Sequence, residues 1–185
     1  GAEFCLVNQT TGSICGTVTT DQQGQAQFGP QPIGYVDRDG NFKPYTYVCS
    51  ETKAAPGHML TLEPYEFQFH YRNELTDIIV CEYNPANDTN RVVTDKLSGD
   101  TEEMLEGAVL RIERRTESGW KTAEEWTTGR QGHYTKNLSA GEYRLVEVKA
   151  PEGYKLHETP IEFTISDGMT EVPHLVMRNY TTIVD

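Results

Sequence analysis

The clearest signal along the chain is alternation of apolar and polar positions with a period of two. In "PIEFTISDG", Ile161, Phe163 and Ile165 alternate with Glu162, Thr164 and Ser166, and in "PYEFQFHYR" Tyr65, Phe67 and Phe69 do likewise. Successive strand side chains point to opposite faces, so this pattern predicts half-buried β-strands. Turn residues punctuate the runs: "TTG" at 10–12, "DRDG" at 37–40, "ESG" at 117–119, "SAG" at 139–141 and "SDG" at 166–168. Helical periodicity is weak everywhere, and "GDTEEMLEG" predicts one short turn and no more. Short strands with closely spaced turns, about seven in each half, predict an all-β sandwich architecture.

One position breaks the pattern. In "YRLVEVK", Tyr143, Leu145 and Glu147 share one face, with Arg144, Val146 and Val148 on the other. If the Tyr143 face is buried, a carboxylate sits in a core, where it must be neutral, paired or chemically employed.

The two halves echo each other. "GAEFCL" at 1–6 answers to "GAVLRI" at 107–112, "VTTDQQGQAQF" at 18–28 to "WTTGRQGHYT" at 126–135, and "YVCSETKAAPGH" at 47–58 to "YRLVEVKAPEGY" at 143–154. "EPYEFQFHYRN" at 64–74 answers to "TPIEFTISDGM" at 159–169, and "IIVCEYN" at 78–84 to "HLVMRN" at 174–179. The order is kept, and the offset drops by about ten residues because the first half carries an insertion at 29–44. Two tandem domains are therefore expected, at 1–88 and 89–185, with the boundary in the polar "NPANDTN" at 84–90.

Composition narrows the class. The chain has 185 residues and is 36% hydrophobic, with ten Tyr and six Phe, enough aromatic mass for compact cores. A net charge of −12 argues against nucleic acid or an anionic membrane as partner. No run of about 18 apolar residues predicts a membrane span. The abrupt start at "GAEFCLV" suggests a mature or excised segment. The four cysteines, Cys5, Cys15, Cys49 and Cys81, all fall in the first half without metal-ligand spacing, so neither a metal nor another cofactor is expected. Their even number favours disulfides and an oxidising, extracellular setting, with buried free thiols as the alternative.

Lys96, then Leu105-Glu106-Gly107-Ala108, then Tyr143-x-Leu145-x-Glu147-x-Lys149-Ala150-Pro151-x-Gly153-Tyr154, and a last strand closing on Asn179, form a longer pattern. This pattern resembles the Cna protein B-type domain, a SpaA-like, prealbumin-like (Ig-like) sandwich module of pilins and stalked adhesins in Gram-positive bacteria. The resemblance is close over 91–180 and looser over 1–84. It implies an intramolecular isopeptide bond from Lys96 to Asn179, promoted by Glu147. Ser98 stands where the family usually has Asp, and Glu102 where it usually has Gly.

The implied chemistry explains the residue types. Only a neutral lysine is a nucleophile, and burial disfavours its charged form. A neutral Glu147 would hydrogen-bond and polarise the Asn179 carbonyl, then pass a proton to the departing ammonia. Folding supplies the proximity, and the event is single-turnover, so the chain is not an enzyme in the usual sense. In the first copy, Glu51 matches Glu147 and Asn84 matches Asn179. Lys43 and Lys53 are the only lysines before residue 90, and neither lies on a first strand. Either the first strand lies outside the sequence, or a partner strand comes from elsewhere, or this copy makes no such bond.

Cys5 and Cys15 lie symmetrically about the "QTTG" turn and are expected to face each other on the outward side of a hairpin, as a disulfide. A Cys49–Cys81 bridge, from a core position to an outward one, is the second expected pairing. "DRDGN" at 37–41 reads as a hairpin turn rather than a calcium loop. His58, His70, His133, His157 and His174 share no metal or triad spacing, and the sequons at Asn8, Asn87, Asn137 and Asn179 read as incidental. The expected function is a rigid stalk or pilin segment on a bacterial cell surface, cross-linked internally and joined to neighbouring domains or pilin subunits. Two alternatives stand: a ligand-binding head for a host matrix protein or glycan, using Tyr35, Phe42 and Tyr45 of the insertion, and a polymerising backbone pilin. The second lacks the Tyr-Pro-Lys-Asn motif typical of such pilins.

Overall fold

The computed structural model describes residues 1–70 and 79–182, so residues 71–74 of "EPYEFQFHYRN" and Ile78 of "IIVCEYN" lie outside the described residues. The chain divides into two compact units, Gly1–Asp88 and Thr89–Asp185. Every regular element described is a strand.

The second unit contains β7 (Arg91–Ser98), β8 (Val109–Thr116), β9 (Gly119–Thr127), β10 (His133–Lys136), β11 (Gly141–Lys149), β12 (Ile161–Ile165) and β13 (His174–Asn179). They form two sheets, β10-β7-β13 and β12-β11-β8-β9. Alternation decides which side chains meet between them. Val92 from β7 and Leu175 and Met177 from β13 join Leu110, Ile112, Tyr143, Leu145 and Ile165 from the other sheet in one buried core. Such burial is worth roughly 1.5–3 kcal/mol for each large apolar side chain. The first and last strands, β7 and β13, are parallel neighbours, with Lys96 opposite Met177 and Ser98 opposite Asn179. On the outer face Arg144 reaches Glu113 at 2.6 Å and lies over the Trp120 ring.

The two departures from the family pattern have local explanations. Ser98 Oγ accepts the N–H groups of Asp100 and Thr101, both at 3.2 Å, and so caps the turn after β7 as an Asp would. Glu102 adopts φ of 59°, the left-handed conformation that favours glycine, and its carboxylate binds Arg178 at 2.8 Å. That guanidinium pulls the Glu102 carboxyl below its ordinary range.

The first unit contains β1 (Glu3–Asn8), β2 (Ser13–Thr19), β3 (Gly34–Val36), β4 (Phe42–Pro44), β5 (Thr46–Lys53) and β6 (Tyr65–Gln68). Its main sheet has the order β2-β1-β5-β6, which matches β9-β8-β11-β12 strand for strand. Both sheets carry a register shift after the equivalent residues Leu6 and Ile112. Both also shift beside the equivalent carboxylates, Glu51 and Glu147. Phe4, Leu6, Tyr47 and Cys49 are buried on one face under Tyr65, Phe67, Phe69 and Tyr83. Residues 79–84, expected as a last strand, form none, and neither do residues 25–28, the counterpart of β10.

The insertion is the hairpin β3–β4. Asp37 Oδ1 accepts the N–H groups of Asp39 and Asn41, so "DRDGN" is a turn closed by its own carboxylate. Gly34 lies so close to the opposing strand that a Cβ there would stand 2.2 Å from the Lys43 carbonyl oxygen. Gly34→Ala is therefore expected to open this hairpin alone. Amide exchange of Tyr35 and Lys43 should accelerate while β1 and β5 keep their protection; unchanged exchange would contradict the close approach.

The expected disulfides are corrected. All four cysteines are free thiols. Cys5 faces Thr17 rather than Cys15, because the shift between Leu6 and Val7 makes Cys15 the extra residue of a bulge. The bulge reverses side-chain parity, so Cys15 packs against the core with Tyr47 instead of facing outward. Cys49 is buried, and burial pushes its thiol up, which keeps it protonated. Cys81 is exposed, with its sulfur 3.7 Å from the Tyr65 hydroxyl rather than bonded to Cys49.

Candidate cross-linking site

Strand alternation places Lys96 on the inward face of β7, Glu147 on that of β11 and Asn179 at the inward end of β13, and all three are buried. They meet between the two sheets. Lys96 Nζ lies 2.9 Å from Glu147 Oε1. Asn179 Nδ2 donates to the other oxygen, Oε2, at 2.7 Å, and also to the Lys155 carbonyl. Glu147 Oε2 further accepts the backbone N–H of His157 at 2.6 Å. The carboxylate thus spans the amine and the amide, one oxygen to each.

The pairing of amine and acid is close but off-axis. Lys96 Nζ, Glu147 Oε1 and Asn179 Oδ1 are all buried without an aligned hydrogen-bond partner. Buried polar atoms left in this way are costly, and they cluster where a structure uses them chemically. Burial pushes the Lys96 amine down from its ordinary value, and Glu147 offsets this only in part. The site therefore holds an amine inclined to lose its proton, an acceptor 2.9 Å away, and an amide nitrogen bonded to that same acceptor group.

This geometry corrects one expected detail. Glu147 faces the amide nitrogen of Asn179, not its carbonyl oxygen.

The loop after Glu147 forms a clasp that the sequence reading missed. Ten residues on, the His157 N–H holds the carboxylate, and eight residues on, the Lys155 carbonyl holds Asn179. The first unit repeats both spacings: Thr61 N–H donates to Glu51 Oε2 at 2.7 Å, and the Met59 carbonyl accepts from Asn87 Nδ2 at 3.3 Å. Gly57 and Gly153 hold the same left-handed turn, at φ of 79° and 83°. Pro56, displaced by one from Pro151, does not disturb it.

Asn84, the expected counterpart of Asn179, is exposed. Asn87 takes that place, donating to Glu51 Oε1 and Oε2 at 2.7 and 2.8 Å. Among the described residues, no cluster of His, Cys, Asp and Glu could hold a metal ion, and no helix is long and apolar enough to cross a membrane.

The chain is similar to the Bacillus anthracis TIE protein at 24% identity and a TM-score of 0.46, covering 97% of this chain and 31% of that one. Similarity to the shaft pilin spaA of Lactobacillus rhamnosus GG covers 100% of this chain and 88% of the pilin, at 16% identity and a TM-score of 0.39. For the Streptococcal ancillary pilin the values are 22% identity, a TM-score of 0.44, and coverage of 98% and 57%. The chain thus spans less than a third of the Bacillus protein and little more than half of the streptococcal one. No curated protein matches it. Residues 90–180, which carry Lys96, Glu147 and Asn179, match the family described as "SpaA: Prealbumin-like fold domain", and the second unit belongs to that family.

Proposed function

We propose that the second unit is a self-cross-linking structural module, a stalk or pilin segment of a protein on the surface of a Gram-positive cell. The observation that carries this reading is Glu147, buried with one oxygen toward Lys96 Nζ and the other toward Asn179 Nδ2. In the reaction, Glu147 takes a proton from the Lys96 ammonium, and the free amine attacks Asn179 Cγ. The Nζ–Cγ bond forms and the Cγ–Nδ2 bond breaks. The departing nitrogen leaves as ammonium, having gained both protons that the lysine gives up. The fold holds the reacting groups together, so the chemistry is once-only and needs no cofactor.

The parallel pairing of β7 with β13 supports a mechanical role, since it sets the first and last strands of the unit side by side. Partners of such a segment are neighbouring domains or pilin subunits. Intact-mass measurement of the denatured, reduced chain tests the reading. The chain should be lighter than its sequence by one ammonia, and Lys96→Ala or Glu147→Ala should restore the full mass. A wild-type chain at its unmodified mass would end it.

A further inference from the structure

The loop after β11 runs beside residues 178–182 as a short ladder. The Thr182 N–H donates to the Gly153 carbonyl at 2.8 Å, and the Lys155 N–H donates to the Tyr180 carbonyl at 2.9 Å. The third rung, two residues further along each segment, is made by a side chain: His157 Nδ1 lies 3.2 Å from the Arg178 carbonyl oxygen. A carbonyl only accepts, so in this bond Nδ1 carries the ring's proton and donates. Between the second and third rungs the Lys155 carbonyl meets Asn179 Nδ2, and the His157 N–H holds Glu147 Oε2 at 2.6 Å.

This ladder decides how the amide is turned. A carbonyl oxygen repels another oxygen, so the end of Asn179 that faces Lys155 is the nitrogen. Its two hydrogens go to the Lys155 carbonyl and to Glu147 Oε2, the latter at 2.7 Å. Asn179 Oδ1 is buried without an aligned partner among the described residues, so the support given to the amide is concentrated at its nitrogen. The first unit turns an amide in the same way, although Asn87 lies on no strand. Its Nδ2 faces both Glu51 oxygens and the Met59 carbonyl, which stands eight residues past the acid, as Lys155 does. The orientation follows the loop rather than the strand that brings the amide.

We propose that the Lys155 carbonyl is a leaving-group acceptor for the reaction at Asn179, and that the His157 imidazole is the positioning residue that aims it. This rests on the reading of Lys96, Glu147 and Asn179 as a cross-linking set. As the Cγ–Nδ2 bond breaks, the nitrogen gains protons and positive charge and ends as ammonium. Hydrogen bonds from a charged donor are roughly twice as strong as neutral ones. An acceptor already aimed at that nitrogen therefore holds the departing state more tightly than the resting amide. Lys155 neither gives nor takes a proton, and the two that leave on the ammonium still come from Lys96. A carbonyl on a loop can act in this way only if the loop is held, and His157 is the rung that holds it nearest the acid.

The rate of cross-linking tests this. The whole chain is made by timed cell-free synthesis, and samples are denatured, reduced and weighed. The fraction lighter by one ammonia should rise on the order of tenfold more slowly in His157→Ala, because small misplacements of reacting groups carry costs of that size. His157→Asn, whose side-chain amide can donate from nearly the place of Nδ1, should recover most of the wild-type rate. Amide exchange, measured with Lys96→Met also present so that no link forms, should show β11 and β13 equally protected with and without His157→Ala. A His157→Ala chain that matches the wild type at every time point overturns the proposal. So does a His157→Asn chain as slow as His157→Ala, or a loss of β13 protection that accompanies the slowing. A wild-type chain that never loses ammonia ends the cross-linking reading and this inference with it. A wild-type chain that links, with His157→Ala linking equally fast, ends this inference alone.

Discussion

Glu147→Ala is expected to destabilise the second unit more than Lys96→Met, although both would abolish the proposed cross-link. By the chain-entropy argument used for disulfides, closing the loop from residue 96 to residue 179 contributes about 4–5 kcal/mol. Lys96→Met loses that contribution and replaces a buried amine with an apolar side chain of similar length. Glu147→Ala loses it too, and leaves the amine buried without the acid that faces it. Removing one partner of a buried ion pair costs roughly 3–5 kcal/mol, because the remaining group must shed its proton or draw water inward. The combined loss of about 7–10 kcal/mol approaches the whole stability of an ordinary domain. Denaturant titration of both variants should show Lys96→Met still folding cooperatively, with Glu147→Ala largely unfolded at room temperature. Equal midpoints for the two would mean that the carboxylate does not compensate the amine.

The second large effect is mechanical. A tether attached before Arg91 and beyond Asn179 pulls β7 and β13 past one another along their shared ladder. With the cross-link formed, load enters at β7, passes from Lys96 to Asn179 and leaves, and the residues between them carry none. The wild-type unit should therefore show no unfolding step in single-molecule pulling. Lys96→Met should lengthen by on the order of 270–300 Å, the extended span of the chain between those two residues. A step of that size in the wild type would place the load on the sandwich itself and refute the linked path.

Much of this was readable from alternation alone. Tyr143, Leu145 and Glu147 fall on one face of a strand by parity, and the structure buries all three. Lys96 was findable only through its spacing to the Leu105–Ala108 segment, since a lone lysine carries no mark of burial. What escaped the reading involved features that break parity. The bulge after Leu6 inserts one residue, so counting outward from the "QTTG" turn put Cys15 on the wrong face. Asn84 was chosen because "IIVCEYN" aligns with the apolar rhythm of β13. Asn87 comes from a segment without strand structure, where rhythm gives no register. A usable signal was present all the same: Glu51 and Glu147 are followed at equal distances by Gly57 and Gly153 and by Leu60 and Leu156. Equal lengths there imply equal clasps. That residues 79–84 form no strand was hard to foresee for another reason, since a repeat matches segments and does not say which strands find partners.

The clasp also separates where this molecule can be rebuilt from where it cannot. The hairpin at 34–44 interrupts the path from β2 to β5 without changing the strand order, the bulges or the hold on Glu51. Its tip, an exposed turn closed by Asp37, is expected to accept grafted sequence. Between Glu147 and His157 no such freedom exists. One residue advances an extended chain by about 3.3 Å, more than the length of a hydrogen bond, so a single deletion there would carry the His157 N–H and the Lys155 carbonyl off their targets together.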